Sequence, residues 1–218
     1  MKYSGFLGQV GLRVRLVLLM VALLGANSSR ALEFEKLLAF TTADSVRIEL
    51  APRAGEDFTG VEFQAAITQA GTGRLLWQGP VGRIAPGAPK GAVFTNTISG
   101  LKPELWNPDS PVLYKLQVTA AKDGQALGSR AIRIGFRSFE IRDGQFHLNG
   151  RPVFLRGIAI NPPGRTLPPE VAESRPFAEA YVRYLKSQNV NIFRLTTDES
   201  QVWFDVCDEL GMMMYAGR

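Results

Sequence analysis

The chain has 218 residues, 45% of them hydrophobic and 21% charged, so it can bury a core and has room for one large domain or two small ones. Its formal net charge is +5, but four of the 25 basic residues and none of the 20 acidic ones fall in the first 31 positions. The rest of the chain therefore holds 21 basic against 20 acidic side chains, which argues against nucleic acid as a partner.

The first 31 residues have the order of a secretory signal peptide. Basic residues, the last of them Arg15, precede the apolar run Leu16–Gly25, and small and polar residues then end at Ala31. The apolar run is about half the roughly 20 residues that a membrane span needs. We therefore predict cleavage after Ala31, export to the periplasm or the extracellular space, and no stable membrane span afterwards. An uncleaved signal anchor or a buried helix is the alternative.

Cysteine and histidine, two residue types that often carry chemistry, occur once each. Cys207 excludes a disulfide within the chain and falls in a predicted helix beside Trp203 and Phe204, so we expect a buried structural thiol. His147 falls in a predicted hairpin strand, and one histidine in this company does not make a metal cluster or a Ser-His-Asp triad. We therefore expect no metal site and no cofactor.

Residues 32–138 are predicted to form an antiparallel β-sandwich. Short stretches of alternating apolar and polar residues are separated by turn signals at 70–71, 86–87 and 123–124. In the run 61–69, alternation places Val61, Phe63, Ala65 and Ile67 on one face. The predicted strands are Ser45–Pro52, Val61–Gln69, 73–79, 92–98, 112–120 and 130–136.

The pattern changes after residue 139. Asp143-Gly144 and Asn149-Gly150 are dipeptides that suit type I′ turns, so they predict two tight hairpins. The stretch Pro152–Ile160 is apolar and predicts one buried strand that leads into a loop rich in proline and glycine.

A helix is predicted over Ser174–Asn189. Ser174 can cap it, Pro176 suits its first turn, and Asn189 can end it. Helical spacing places five residues on its inward face: Phe177, Ala180, Tyr181, Tyr184 and Leu185.

Two further strands surround a second helix. The sequence predicts a strand at Val190–Thr196, a helix at 198–211 that Gly211 closes, and a strand at Met212–Ala216. Strand, helix, strand, helix and strand at this spacing are typical of the start of a parallel α/β fold.

Several linked motifs resemble glycoside hydrolase family 2, the family of β-galactosidases, β-glucuronidases and β-mannosidases. They are "LWNPDSPVLYKLQVTA" (105–120), "IGFRSFEI" (134–141), "FHLNGRPVFLRG" (146–157), "NVNIFRLT" (189–196) and "FDVCDELGMMMY" (204–215). The resemblance covers about residues 100–215. It implies a multidomain β plus α/β protein, in which an immunoglobulin-like β-sandwich precedes the first βαβαβ portion of a (β/α)8 barrel.

The resemblance also implies a domain organisation and an activity. Residues 1–31 would be the signal peptide, 32–138 the sandwich, and 139–218 a hairpin that covers the bottom of an incomplete barrel. The family hydrolyses O-glycosidic bonds with retention, using two carboxylates. By resemblance both lie on later barrel strands, beyond Arg218. We therefore expect the N-terminal portion of an exported glycoside hydrolase that is inactive alone.

Substrate-pocket candidates follow from the same resemblance, because such barrels bind substrate at the carboxyl ends of their strands. The strand ends here are Ala159–Arg165, Arg194–Asp198 and Tyr215–Arg218. Arg194 resembles the family arginine that orients the nucleophile, with a surface or interdomain salt bridge as the alternative. Asp198 and its neighbour Glu199 are explained more simply as helix-dipole partners than as catalytic acids. The carbohydrate-pocket candidates are Arg194, Asn161, Thr196, Thr197 and Asp198.

Three strand ends depart from the family pattern. "GIAIN", "RLTTDES" and "YAGR" stand where many members carry histidines and acids that bind sugar or metal. The residues therefore do not imply a standard galactosidase specificity. The alternative function is a non-catalytic secreted module that associates with carbohydrate or with another protein.

Overall fold

The computed structural model describes residues 33–160, 167–195 and 201–216. The predicted leader lies outside these residues. Seven antiparallel strands open the described chain and form two sheets of three and four strands, in the orders β1-β2-β5 and β4-β3-β6-β7. Their bounds are Phe34–Thr41 (β1), Val46–Pro52 (β2), Glu62–Gln69 (β3), Leu75–Arg83 (β4), Phe94–Ile98 (β5), Tyr114–Lys122 (β6) and Gln125–Ile134 (β7).

Both sheets turn their apolar faces into one core. Val61, Phe63, Ala65 and Ile67 are all buried, as their alternation predicts. β2 and β6 contribute the same way, and each strand buries every second residue. The six predicted strands are therefore confirmed. β1 was not predicted, because a bulge near Phe34 breaks its alternation.

A small three-stranded hairpin sheet follows the sandwich. It contains Phe139–Arg142 (β8), Gln145–Leu148 (β9) and Arg151–Pro152 (β10). The φ angles are 51° and 74° at Asp143-Gly144, and 53° and 74° at Asn149-Gly150. Two successive positive φ angles define the type I′ turn, so both predicted turns are confirmed.

The prediction of one buried strand over Pro152–Ile160 is wrong. The Asn149-Gly150 turn pairs Pro152 with His147 in the hairpin, and the parallel strand β11 covers only Gly157–Ile160. Phe154 is 78% exposed and Ile158 41% exposed. Among the described strands, β11 has a neighbour on one side only, which is β12.

The last described part is a parallel α/β unit. Three helices and two strands follow β11: Pro169–Ala172 (α1), Arg175–Ser187 (α2), Ile192–Leu195 (β12), Gln201–Leu210 (α3) and Met213–Ala216 (β13). β11, β12 and β13 pair in parallel in that order. The predicted succession of strands and helices is confirmed, and the short α1 is an addition to it.

Helix α2 begins and ends as predicted, and its predicted inward face is confirmed in part, because Phe177, Tyr181 and Leu185 pack in the helical core. Ser174 accepts a hydrogen bond from Phe177 N, and Asn189 takes a positive φ of 63° just beyond the helix. Of the predicted inward residues, Ala180 is exposed and Tyr184 is 59% exposed. The fully buried residues of the helix are Ala178, Val182 and Leu185.

Candidate functional site

The register of the parallel sheet arranges its residues in rows across the three strands. Gly157 pairs with Ile192, which pairs with Met213. Two residues further along, Ala159 pairs with Arg194, which pairs with Tyr215. Side chains alternate between the two faces of a strand, so these two rows lie on the same face. The row between them, which contains Phe193, lies on the other.

Packing identifies which face carries Arg194. Phe193 is buried among the helices, with its ring centre 6.0 Å from that of Trp203. Ile192 and Met213 instead pack with Leu148 of the hairpin. Arg194 and Tyr215 therefore lie on the face away from the helices, one row closer to the carboxyl ends than the residues that meet the hairpin.

Arg194 is exposed at this carboxyl end. Its guanidinium carbon lies 6.0 Å from the ring centre of Tyr215, which is itself 59% exposed. Within the described ranges, Arg194 forms no ion pair with a carboxylate. The other pocket candidates, Asn161, Thr196, Thr197 and Asp198, lie outside those ranges, and so does Glu199.

The hairpin and a tryptophan of the sandwich close the opposite end of this face. Trp106, Leu113, Leu148 and Met213 are buried together. The Asn149 side chain joins the two parts, because it donates to Trp106 O at 3.0 Å and accepts from Ser138 N at 3.0 Å. An Asn-Gly turn thus serves both the hairpin reversal and its attachment to the sandwich.

Trp106 also fixes helix α3 against the sandwich. Its indole Nε1 donates to the carbonyl oxygen of Asp208 at 2.8 Å. The Arg137 guanidinium lies 4.8 Å from the Trp106 ring centre and 3.8 Å from the Asp208 carboxylate. Burial raises the pKa of Asp208, while Arg137 and then Arg133 act against that rise.

Charged pairs extend the same contact. Arg133 on β7 bonds to Asp205 at 2.6 Å and also pairs with Glu209. Arg175 at the start of α2 meets Glu209 in a fork, with distances of 2.8–2.9 Å. The acidic face of α3 is therefore held from the sandwich and from α2 together.

The ammonium group of Lys186, on α2, donates hydrogen bonds to three backbone carbonyl oxygens. Its Nζ donates to Pro108 O and Leu210 O at 2.6 Å each and to Gly211 O at 3.3 Å. Desolvation lowers the pKa of Lys186, and Asp109 opposes that shift. The carbonyl groups at the end of α3 need a partner beyond the helix, and this ammonium supplies it.

Gly211 sits where no other residue fits. Its φ is 72°, and a Cβ there would lie 2.3 Å from Pro108 O. We call the contact of Trp106, Pro108, Lys186, Asp208 and Gly211 the sandwich–helix joint. The sequence predicted Gly211 as a helix end but not the joint.

Cys207 is buried inside the helical core, at 2% exposure. Burial is the main reason that its thiol pKa rises to about 12. The expectation of a structural thiol rather than a nucleophile is consistent with this environment, because a nucleophilic cysteine needs a lowered pKa.

A cleft of about 390 Å³ lies next to β13. Aromatic residues in its lining are Trp106, Phe139, Phe204 and Tyr215. Across the residues that the structure covers, no group of three or more His, Cys, Asp or Glu side chains is arranged to hold a metal ion. None of the helices in that same set is long and apolar enough for a bilayer crossing.

Comparisons with known proteins give a consistent set of matches. The family model of glycosyl hydrolases family 2 matches residues 57–137. A β-galactosidase of Photobacterium profundum is 29% identical over 122 residues, which are 55% of this chain and 12% of that protein. Another β-galactosidase, from Vibrio vulnificus, is 30% identical over 122 residues, which are again 55% of this chain and 12% of that protein.

A solved structure has the same fold over most of the chain. A glycosyl hydrolase family 2 member from Bacteroides cellulosilyticus has a TM-score of 0.68 and 23% identity, over 84% of this chain and 24% of that one. The chain therefore spans about a quarter of the structure, and 12% of the length of the two β-galactosidases.

Proposed function

We propose that the protein is the N-terminal portion of an exported glycoside hydrolase, because residues 57–137 match the family model of glycosyl hydrolases family 2. Its reaction is retaining hydrolysis of O-glycosidic bonds, and its substrate is a carbohydrate. The two β-galactosidases are similar over 55% of this chain.

The observation that carries the proposal is the position of Arg194. It lies at the carboxyl end of β12, on the face away from the helices, and it is exposed. In a closed barrel of parallel strands that face is the interior, and the carboxyl ends form the mouth where substrates bind. We therefore propose that β11, β12 and β13 are the first three strands of such a barrel, with residues 32–138 as an immunoglobulin-like sandwich and 139–218 as hairpin and barrel.

The chemistry requires two carboxyl groups about 5–5.5 Å apart, one as acid and base and one as nucleophile. In this proposal both come from later barrel strands, as the family resemblance implies, and the 218-residue chain alone does not hydrolyse glycosides. The contribution of Arg194 is to hold the nucleophile ionised and oriented. A guanidinium does so well because it stays charged and donates two parallel hydrogen bonds to a carboxylate.

Activity assays test the proposal. The 218-residue chain and the longest product of its gene would be assayed on aryl β-galactosides, β-glucuronides and β-mannosides. We expect turnover by the longer product and none by the shorter chain. Turnover by the shorter chain that Asp198→Asn abolishes would contradict the assignment of the catalytic carboxylates.

Exposed apolar side chains on the hairpin favour the second candidate, a non-catalytic interaction module. Phe139, Ile141 and Phe154 are 48%, 71% and 78% exposed. Exposed apolar patches mark surfaces that meet another molecule or another part of the same protein. A longer product that binds insoluble polysaccharide without releasing reducing sugar would favour this candidate over hydrolysis.

A further inference from the structure

Tyr215 occupies the same row as Arg194 and has no assigned role. We propose that the Tyr215 ring is a positioning group for the Arg194 guanidinium, an inference that rests on the proposed glycosidase function. The two residues are direct partners across β12 and β13, and 6.0 Å separates the guanidinium carbon from the ring centre.

Core packing does not account for Tyr215. Met213, two residues earlier on the same face, is 9% exposed and packs with Leu148, whereas Tyr215 is 59% exposed. Within the described residues, the Tyr215 ring lies beside the Arg194 guanidinium and also lines the 390 Å³ cleft.

An aromatic neighbour orients an arginine without using its donors. A carboxylate beside Arg194 would bind its N–H groups and neutralise its charge. A ring instead attracts the cation through its π face, and about 6 Å is the outer limit of that attraction. The N–H donors of the guanidinium remain free to form a fork with another carboxylate.

The sequence of β13 is consistent with an aromatic ring, rather than a carboxylate, as the neighbour of Arg194. The strand and the residue after it read Tyr215, Ala216 and Gly217, where many relatives by resemblance carry acids. An exposed arginine samples many rotamers, and ordering it costs conformational entropy. A ring on the adjacent strand reduces the number of those rotamers before the carboxylate of the nucleophile meets the guanidinium.

The first experiment examines the pairing in the 218-residue chain, independently of catalysis. The side-chain Nε–Hε signal of Arg194 would be recorded by NMR and identified by its disappearance in Arg194→Lys. We expect Tyr215→Leu to shift this signal and Tyr215→Phe to preserve it. Tyr184→Leu is the matched control, because Tyr184 is also 59% exposed but lies on α2. An Arg194 signal that Tyr215→Leu leaves unmoved overturns the inference.

The second experiment measures the consequence in the longest product of the gene. We expect Tyr215→Leu to lower kcat about 10- to 100-fold with little change in KM, since misplacement of a catalytic group by about 1 Å has effects of that order. Tyr215→Phe should stay within about twofold of wild type, because phenylalanine keeps the π face. An active wild type whose kcat Tyr215→Leu leaves unchanged overturns the positioning role alone. A wild type without glycosidase activity overturns the proposed function, and the positioning role falls with it.

Discussion

Replacing Gly211 by alanine tests the sandwich–helix joint directly. At a φ of 72°, alanine enters the left-handed region at a cost of roughly 1–2 kcal/mol. Its Cβ would also lie 2.3 Å from Pro108 O, 2.9 Å from Pro108 C and 3.0 Å from Pro108 Cα. These atoms belong to the backbone, so the joint must open, and overpacking of this kind costs roughly 1–3 kcal/mol.

Gly100→Ala is the matched control for this change. Gly100 has the same φ of 72°, but a Cβ there would meet nothing within 4 Å. We therefore expect a loss of roughly 2–5 kcal/mol for Gly211→Ala and of roughly 1–2 kcal/mol for Gly100→Ala. Urea unfolding followed by tryptophan fluorescence measures both. Equal losses in the two variants would refute the close contact between Gly211 and Pro108.

Four other predictions concern the joint, the thiol and the leader. Trp106→Phe should cost roughly 1–3 kcal/mol in urea unfolding, because it leaves Asp208 O without its indole donor, and an unchanged midpoint would contradict that bond. Cys207 should resist a thiol reagent at about pH 8 until the chain unfolds, and fast labelling of native protein would contradict its burial. In the folded protein the pKa of the Cys207 thiol is about 12, above the ordinary 9.0. The buried thiol therefore contributes fully to the free energy of unfolding below the ordinary pKa, and this contribution is lost as the pH rises towards 12. Cys207→Ala should remove that part of the pH dependence. Mass spectrometry of exported protein should find an N-terminus at Leu32, and intact Met1 on membrane-bound protein would contradict the leader.

Local periodicity predicted most of the fold because it depends on neighbouring residues. Alternation identified the buried face of β3, and the Asp-Gly and Asn-Gly pairs identified both type I′ turns. Local periodicity gave incomplete predictions where tertiary contacts determine which residues are buried. The inward face of α2 was predicted only in part: Leu185 is buried as expected, but spacing did not distinguish the buried Ala178 from the exposed Ala180.

Local sequence patterns could not predict contacts between residues that are far apart in the chain. Trp106 and Asp208 are separated by 102 positions, and no local signal links an indole to a helix carbonyl so far along the chain. The placement of Arg194 on the face away from the helices likewise depends on the register of β12 with β13. The sequence supplied Arg194 as a candidate and placed Tyr215 at a strand end, but the pairing of the two residues was apparent only when that register was known.

The most direct test of the proposed function is the activity of Arg194→Ala in the longest product of the gene, measured as kcat/KM on its best aryl glycoside. We expect a loss on the order of 2–4 kcal/mol in transition-state stabilisation, by analogy with removal of one preorganised donor. Arg194→Lys should recover part of it, because an ammonium cannot reproduce the guanidinium fork. Unfolding of residues 32–138 should be unchanged in both variants. Full activity in Arg194→Ala would contradict the proposal and make Arg194 a structural residue at the end of β12.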